Sequence, residues 1–109
     1  MERIYNKLVR DNIPDICRAN GEEPFIRILS DKEYWKYLLK KDQEELDEVA
    51  TAESLDERKK ELADKLELIR AMAEFSGFSL SEIKEEADRK KQKNGGFEKR
   101  LLLEKVVTK

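Results

Sequence analysis

The chain has 109 residues, with 23 Lys+Arg against 25 Asp+Glu, no histidine and one cysteine, and this length predicts one domain covering residues 1–109. Without histidine it has no Ser-His-Asp triad and no Cys-His nucleophile pair, and one cysteine cannot form an internal disulfide or a Cys-rich zinc site. The net charge of −2 gives no electrostatic reason to expect nucleic-acid binding, and no apolar run approaches the roughly 18 residues of a membrane span, so we expect a soluble, cytoplasmic protein.

The first 29 residues differ in pattern from the rest of the chain. The segment IYNKLVRDNIP is typical of extended chain turning into a short helix, and Pro14 stands at a first-turn position that suits proline. Gly21 suits the end of that helix. Residues 24–29 predict a short strand.

Three Ser-x-x-Glu capping boxes mark the starts of three longer helices. The boxes are Ser30-x-x-Glu33, Ser54-x-x-Glu57 and Ser79-x-x-Glu82. The first helix is predicted at about 31–52, the second ends near Phe75, and the third ends at residues 94–96, Asn-Gly-Gly. We expect the remaining C-terminal segment to be extended and packed against the body.

Apolar residues recur at helical spacing in the first two of these helices. They are Trp35, Leu39, Leu46 and Val49 in the first helix, and Leu62, Leu66, Ile69 and Ala73 in the second. The linker is short, so the helices should face each other as an antiparallel pair. The prediction is an all-α fold: an antiparallel bundle of three to four helices with short extended termini, completed by dimerisation because its apolar layer is thin.

Acidic residues follow a pattern along the same two helices. Residues 44–48 read Glu-Glu-Leu-Asp-Glu, and residues 61–64, after a gap of twelve, read Glu-Leu-Ala-Asp. Spacings of three and four put side chains on one helix face. At about 100° per residue, the carboxylates lie about 80–160° from the apolar stripe, on the same rotational side of each helix. In an antiparallel pair they should converge on one patch.

Convergent carboxylates repel each other, and a divalent cation relieves that repulsion. Oxygen-only ligands favour Mg²⁺, Mn²⁺ or Ca²⁺, and Mg²⁺ is the predicted cofactor, with Mn²⁺ as the alternative. Because Mg²⁺ keeps waters and usually shares its shell with phosphates, the pattern predicts a phosphate-bearing substrate. The alternative interpretation is a solvated acidic face with ordinary ion pairs such as Glu61–Lys65 and Lys60–Asp64.

The acidic pattern resembles the signature of the all-α nucleoside triphosphate pyrophosphatase superfamily, E-E-x-x-E followed by E-x-x-D. That group includes MazG-type house-cleaning enzymes, phosphoribosyl-ATP pyrophosphatase and dimeric dUTPases. Residues 7–14, KLVRDNIP, resemble the K-L-V-R-D-x-I-P opening of a subgroup labelled phosphoribosyl-ATP pyrophosphohydrolase-like. Residues 91–97, KQKNGGF, resemble that subgroup's K-x-x-x-G-G-F ending. The resemblance covers nearly the whole chain.

The resemblance implies hydrolysis between the α- and β-phosphates of a nucleotide, giving a monophosphate and pyrophosphate. It implies Mg²⁺ ligands at Glu45, Glu48, Glu61 and Asp64. Glu44 would be a further ligand or would orient the attacking water, so Glu44 and Glu45 are the candidate catalytic residues. Two Mg²⁺ ions could share the work of activating water and neutralising phosphate charge.

Basic and polar residues in the flanking segments are candidates for binding the substrate. They are Lys7, Arg10, Lys91, Lys93 and Asn94. The alternative for each cation is a solvated surface charge. Related enzymes build a four-helix bundle across a dimer, so we expect a homodimer or a higher homo-oligomer.

The leading functional prediction is a Mg²⁺-dependent pyrophosphohydrolase acting on a non-canonical or deoxynucleoside triphosphate. The first alternative is a non-catalytic dimerising module with an idle acidic site. Loss of one of the four acidic residues Glu45, Glu48, Glu61 and Asp64 would indicate such a module, but all four are present in this sequence. A second alternative is phosphoribosyl-ATP hydrolysis, ranked lower because the opening segment resembles a different subgroup.

Overall fold

The computed structural model of the protein describes residues 1–108, and these contain four α-helices and no strand. The helices are α1 (Ile13–Ala19), α2 (Asp31–Thr51), α3 (Leu55–Phe75) and α4 (Leu80–Asn94). The predicted all-α class is therefore confirmed, and the three long helices lie where the capping boxes placed them. The strand predicted at 24–29 is wrong. That segment has no regular secondary structure, and residues 1–108 contain no strand with which it could pair, so it has no ladder to stabilise it.

Serine side chains cap the three long helices. The Ser30 hydroxyl accepts from the Glu33 backbone N–H at 3.3 Å, and the Ser79 hydroxyl accepts from that of Glu82 at 3.1 Å. In both cases the glutamate side chain also accepts from the serine N–H, which completes the capping box. These bonds join residues three apart, so the sequence alone is enough to place them.

α2 and α3 form an antiparallel hairpin of two 21-residue helices connected by residues 52–54. Near the open end, Trp35 stacks on Phe75 with ring centroids 5.7 Å apart. Towards the connection, Lys65 Nζ donates to Asp42 Oδ1 at 2.8 Å. Leu38 lies between these contacts and is only 1% exposed. α4 packs against α3.

The hairpin packs only partly through the apolar stripes. The most buried residues of α2 are Leu38 and Glu45, each one residue before a stripe position and about 100° around the helix from it. Those of α3 are Leu68 and the stripe residue Ala73. Six stripe residues are left 37–51% exposed, and we call this surface the apolar face: Trp35, Leu39, Leu46, Leu62, Leu66 and Ile69. Two helices alone bury only a narrow strip of each, so a wide apolar face needs further cover.

The chain is elongated. Its radius of gyration is 18.6 Å, against about 13 Å for a compact chain of this length. The apolar residues of the C-terminal segment are 73–97% exposed: Phe97, Leu101, Leu102, Leu103, Val106 and Val107. The predicted packing of this segment against the body is therefore wrong, because the narrow hairpin offers it no groove. None of the helices in residues 1–108 has the length and apolar composition needed to span a membrane.

Candidate metal centre

Three carboxylates from the two helices of the hairpin meet in the half of it that lies nearer the connection. Glu45 comes from α2, and Glu61 and Asp64 come from α3, one turn apart. Each offers an oxygen within 4.8 Å of the oxygens offered by the other two. We call these three residues the acidic group. The convergence expected from the sequence pattern is confirmed for this trio.

The acidic group is partly buried and partly without hydrogen-bond partners. Glu45 is 6% exposed. Its Oε2 atom and the Oε2 atom of Glu61 are both buried, and neither accepts a hydrogen bond from any group in residues 1–108. A buried carboxylate oxygen without a partner is costly, so these two oxygens are suited to a ligand that supplies positive charge.

Burial and neighbouring carboxylates shift the pKa of this group upward. Burial raises the pKa of Glu45 to about 7, and the carboxylates of Glu61 and Glu48 beside it act in the same direction. The Glu48 carboxylate is also the main cause that raises the pKa of Glu61. Glu48 is itself exposed and lies at the edge of the acidic group. A divalent cation would compete with protons for these carboxylates, because a metal ligand must be deprotonated.

The donor set fits a hard divalent cation. All three donors are carboxylate oxygens, the ligands that Mg²⁺, Mn²⁺ and Ca²⁺ prefer. Oxygen donors alone do not distinguish among these three ions. The residues present therefore could hold such a metal ion, and the choice of ion rests on the chemistry of the substrate.

Two cations of the N-terminal segment contact carboxylates in and next to the acidic group. Arg10 Nη2 donates to Asp64 Oδ1 at 2.6 Å. Lys7 Nζ donates to Glu44 Oε1 at 2.7 Å, and this bond lowers the pKa of Glu44. The segment thus crosses the hairpin beside the acidic group. Glu44 is engaged by Lys7 and is not one of the three carboxylates that meet.

The three candidate residues at the end of α4 have no bond to the acidic group. Lys93 and Asn94 are exposed, and the ion partner of Lys91 is Glu98, with Nζ and Oε1 3.6 Å apart. In residues 1–108 no hydrogen bond or ion pair joins any of the three to the acidic group. Their substrate role stays a prediction.

Two lysines outside the recognised motifs line a cavity next to Glu44. Lys40 and Lys41 of α2 line a cavity formed where the N-terminal segment lies across that helix. Their one sequence signal is the spacing of three and four residues to Glu44, which places them near its face of the helix. The spacing cannot predict the cavity, because the cavity needs a contact between distant segments.

Comparisons with known proteins assign no function to this chain. No family model and no solved structure matches the chain. An uncharacterized protein of Mycolicibacterium smegmatis is 50% identical over 50 residues, which is 46% of this chain and 51% of the relative. The match thus spans about half the length of that curated relative, and its name carries no activity to this chain. The resemblance to nucleotide pyrophosphatases stays a prediction.

Proposed function

We propose that the protein is a Mg²⁺-dependent nucleotide pyrophosphohydrolase that cleaves the α–β phosphate linkage of a nucleoside triphosphate. The observation that carries this proposal is the acidic group. Three carboxylates meet across two helices, and two of their buried oxygens have no hydrogen-bond partner in the part of the chain that the structure describes. A solvated acidic face does not bury a glutamate to 6% exposure, so these carboxylates fit a ligand-binding role better than a surface role.

The proposed reaction needs no histidine. The oxygen of a water molecule bonds to the α-phosphorus, and the bond from that phosphorus to the α–β bridging oxygen breaks. The electron pair leaves on pyrophosphate, and the protons of the water pass to solvent. A bound divalent cation supplies water activation and neutralisation of phosphate charge. Mg²⁺ is the proposed ion because it shares its coordination shell readily with phosphates.

Residues of the chain have distinct roles in this proposal. Glu45, Glu61 and Asp64 hold the cation, and Glu48 at their edge completes the set of ligands. Glu44 orients the attacking water or adds a further ligand. Arg10, held at Asp64, places a guanidinium beside the position where substrate phosphates would meet the cation.

A panel of nucleotides tests this function. We expect at least one canonical, deoxy- or base-modified triphosphate to be converted to its monophosphate and pyrophosphate when Mg²⁺ is present, and no turnover when the ion is chelated. Both products are quantified by chromatography. Release of orthophosphate would contradict the proposed bond, and no turnover of any nucleotide by the folded protein would contradict the activity.

The two alternatives from the sequence can be separated in the same assay. A non-catalytic dimerising module predicts no product from any nucleotide, and the intact acidic group argues against it. Phosphoribosyl-ATP hydrolysis predicts that phosphoribosyl-ATP outperforms every triphosphate in the panel. Nothing in the geometry of the acidic group favours that substrate over a triphosphate.

We also infer that the protein assembles as a homodimer through the apolar face. The face runs along both helices of the hairpin, and its six side chains stay 37–51% exposed. A radius of gyration of 18.6 Å shows how little of the chain folds back to cover it. A second copy would supply a matching apolar face and complete a four-helix core.

Charges placed in the apolar face test this assembly. We expect the wild type to sediment as a dimer, and the double variant Leu39→Glu/Leu66→Glu to sediment as a monomer with a lower melting temperature. The matched control is Leu101→Glu/Leu103→Glu, which alters equally apolar but fully exposed positions outside the hairpin. A wild type that stays monomeric at the highest attainable concentration would refute the dimer.

A further inference from the structure

We propose that the cavity between the N-terminal segment and α2 is an anion subsite that takes the pyrophosphate end of the nucleotide. This inference rests on the proposed function and names the part of the substrate that a second site beside the acidic group would hold. The cavity measures about 210 Å³. The residues that line it include Tyr5, Lys7, Tyr37, Lys40, Lys41 and Glu44.

The cavity wall carries an excess of positive charge. Three lysines and one carboxylate, that of Glu44, line the wall. The Glu44 carboxylate is already paired with Lys7, with Nζ and Oε1 2.7 Å apart. In residues 1–108, no carboxylate lies within 4.0 Å of the ammonium nitrogen of Lys40 or Lys41. Two ammonium groups at the cavity therefore remain available to an anion.

The chain holds these two lysines at the cavity wall. The Lys40 ammonium lies 5.3 Å from the centroid of the Tyr37 ring, a cation–π contact that keeps it over the cavity lining. Lys41 is half-buried, unlike most lysines of this chain. Lysine binds phosphate oxygens as a compact point charge, so this pair is suited to a phosphate-bearing ligand.

The size and position of the cavity indicate which part of the substrate it takes. Drug-sized ligands occupy pockets of about 300–1,000 Å³, so a cavity of 210 Å³ suits a fragment rather than a whole nucleotide. Glu44 on its wall directly precedes Glu45 of the acidic group. A polyphosphate chain could therefore have its α-phosphate at the acidic group and its terminal phosphates at the lysines. Negative charge grows on the pyrophosphate as the bond breaks, and fixed cations there stabilise it.

Binding of inorganic pyrophosphate without metal tests the subsite directly. We expect calorimetry to show binding to the wild type and affinity weaker by at least about tenfold in Lys40→Ala/Lys41→Ala. The matched control is Lys32→Ala/Lys36→Ala, which removes the same charge from exposed positions of the same helix. Lys40→Gln/Lys41→Gln keeps the side-chain bulk and should show the same loss, which separates lost charge from lost packing.

The outcomes distinguish this inference from the proposed function. If pyrophosphate binds through the two lysines but no nucleotide is turned over, the subsite is supported and the proposed enzymatic activity is refuted. If nucleotides are turned over but pyrophosphate affinity is unchanged in both lysine variants, the activity is supported and the subsite is refuted. A nucleobase in the cavity is the competing occupant. It predicts that Tyr5→Ala changes the preference among bases while pyrophosphate affinity stays at the wild-type value, and that result would also overturn the proposal.

Discussion

Glu45→Gln is expected to lower kcat/KM for pyrophosphate release by about a hundredfold or more while raising the melting temperature of the cation-free protein. The loss follows because the amide keeps the shape of the side chain but removes the charge of a proposed ligand. The gain in stability follows because the carboxylate of Glu45 is 6% exposed and has one oxygen without a partner. A side chain that only stabilised the fold would lower stability and activity together.

The matched control for this variant lies in the same acidic segment. Asp47 is exposed on α2 and is not one of the carboxylates of the acidic group, so Asp47→Asn removes the same charge away from the site. We expect its activity to stay near the wild-type value, whereas Glu61→Gln should behave like Glu45→Gln. Full activity of folded Glu45→Gln would exclude the proposed centre.

The second large effect is a loss of stability in the cation-free protein as the pH rises from 5 to 8. The pKa of Glu45 is raised to about 7 in the folded protein, against about 4.3 in an unfolded chain. The folded state therefore binds the proton more tightly than the unfolded state does. The stability that this proton contributes is fully present below the unfolded pKa and is lost as the pH rises through about 7. We expect the free energy of unfolding to fall by about 3 kcal/mol between pH 5 and pH 8, and chemical denaturation at a series of pH values would test this.

Mg²⁺ should reverse this dependence. A cation competes with the proton for the acidic group, so we expect Mg²⁺ to raise the melting temperature more at pH 8 than at pH 5. Glu45→Gln should flatten the pH dependence of the cation-free protein and remove most of the Mg²⁺ effect. Equal stabilisation by Mg²⁺ at both pH values, or an unchanged pH dependence in the variant, would contradict the assignment of Glu45.

The long helices and the meeting of the acidic residues could be predicted from the sequence. Helix starts depend on bonds between residues three apart, such as that from the Glu33 N–H to Ser30, and these positions are fixed by local spacing. The spacing also places Glu61 and Asp64 on one face of α3, and a short connection leaves α2 few ways to pack against it. The identity of the ion, the substrate and the resemblance to nucleotide pyrophosphatases stay predictions.

The tertiary structure decided which side chains the hairpin buries. Apolar periodicity favoured the stripe through Leu39, but the most buried positions of α2 are Leu38 and Glu45, and six stripe residues stay exposed in the apolar face. Local spacing fixes the order of side chains around a helix but not its rotation against a neighbour, which depends on contacts such as the ion pair of Asp42 with Lys65. The crossing of the N-terminal segment, the lysine-lined cavity and the raised pKa of Glu45 likewise depend on contacts between residues far apart in the chain. Only folding determines which groups lose water and which charges become neighbours.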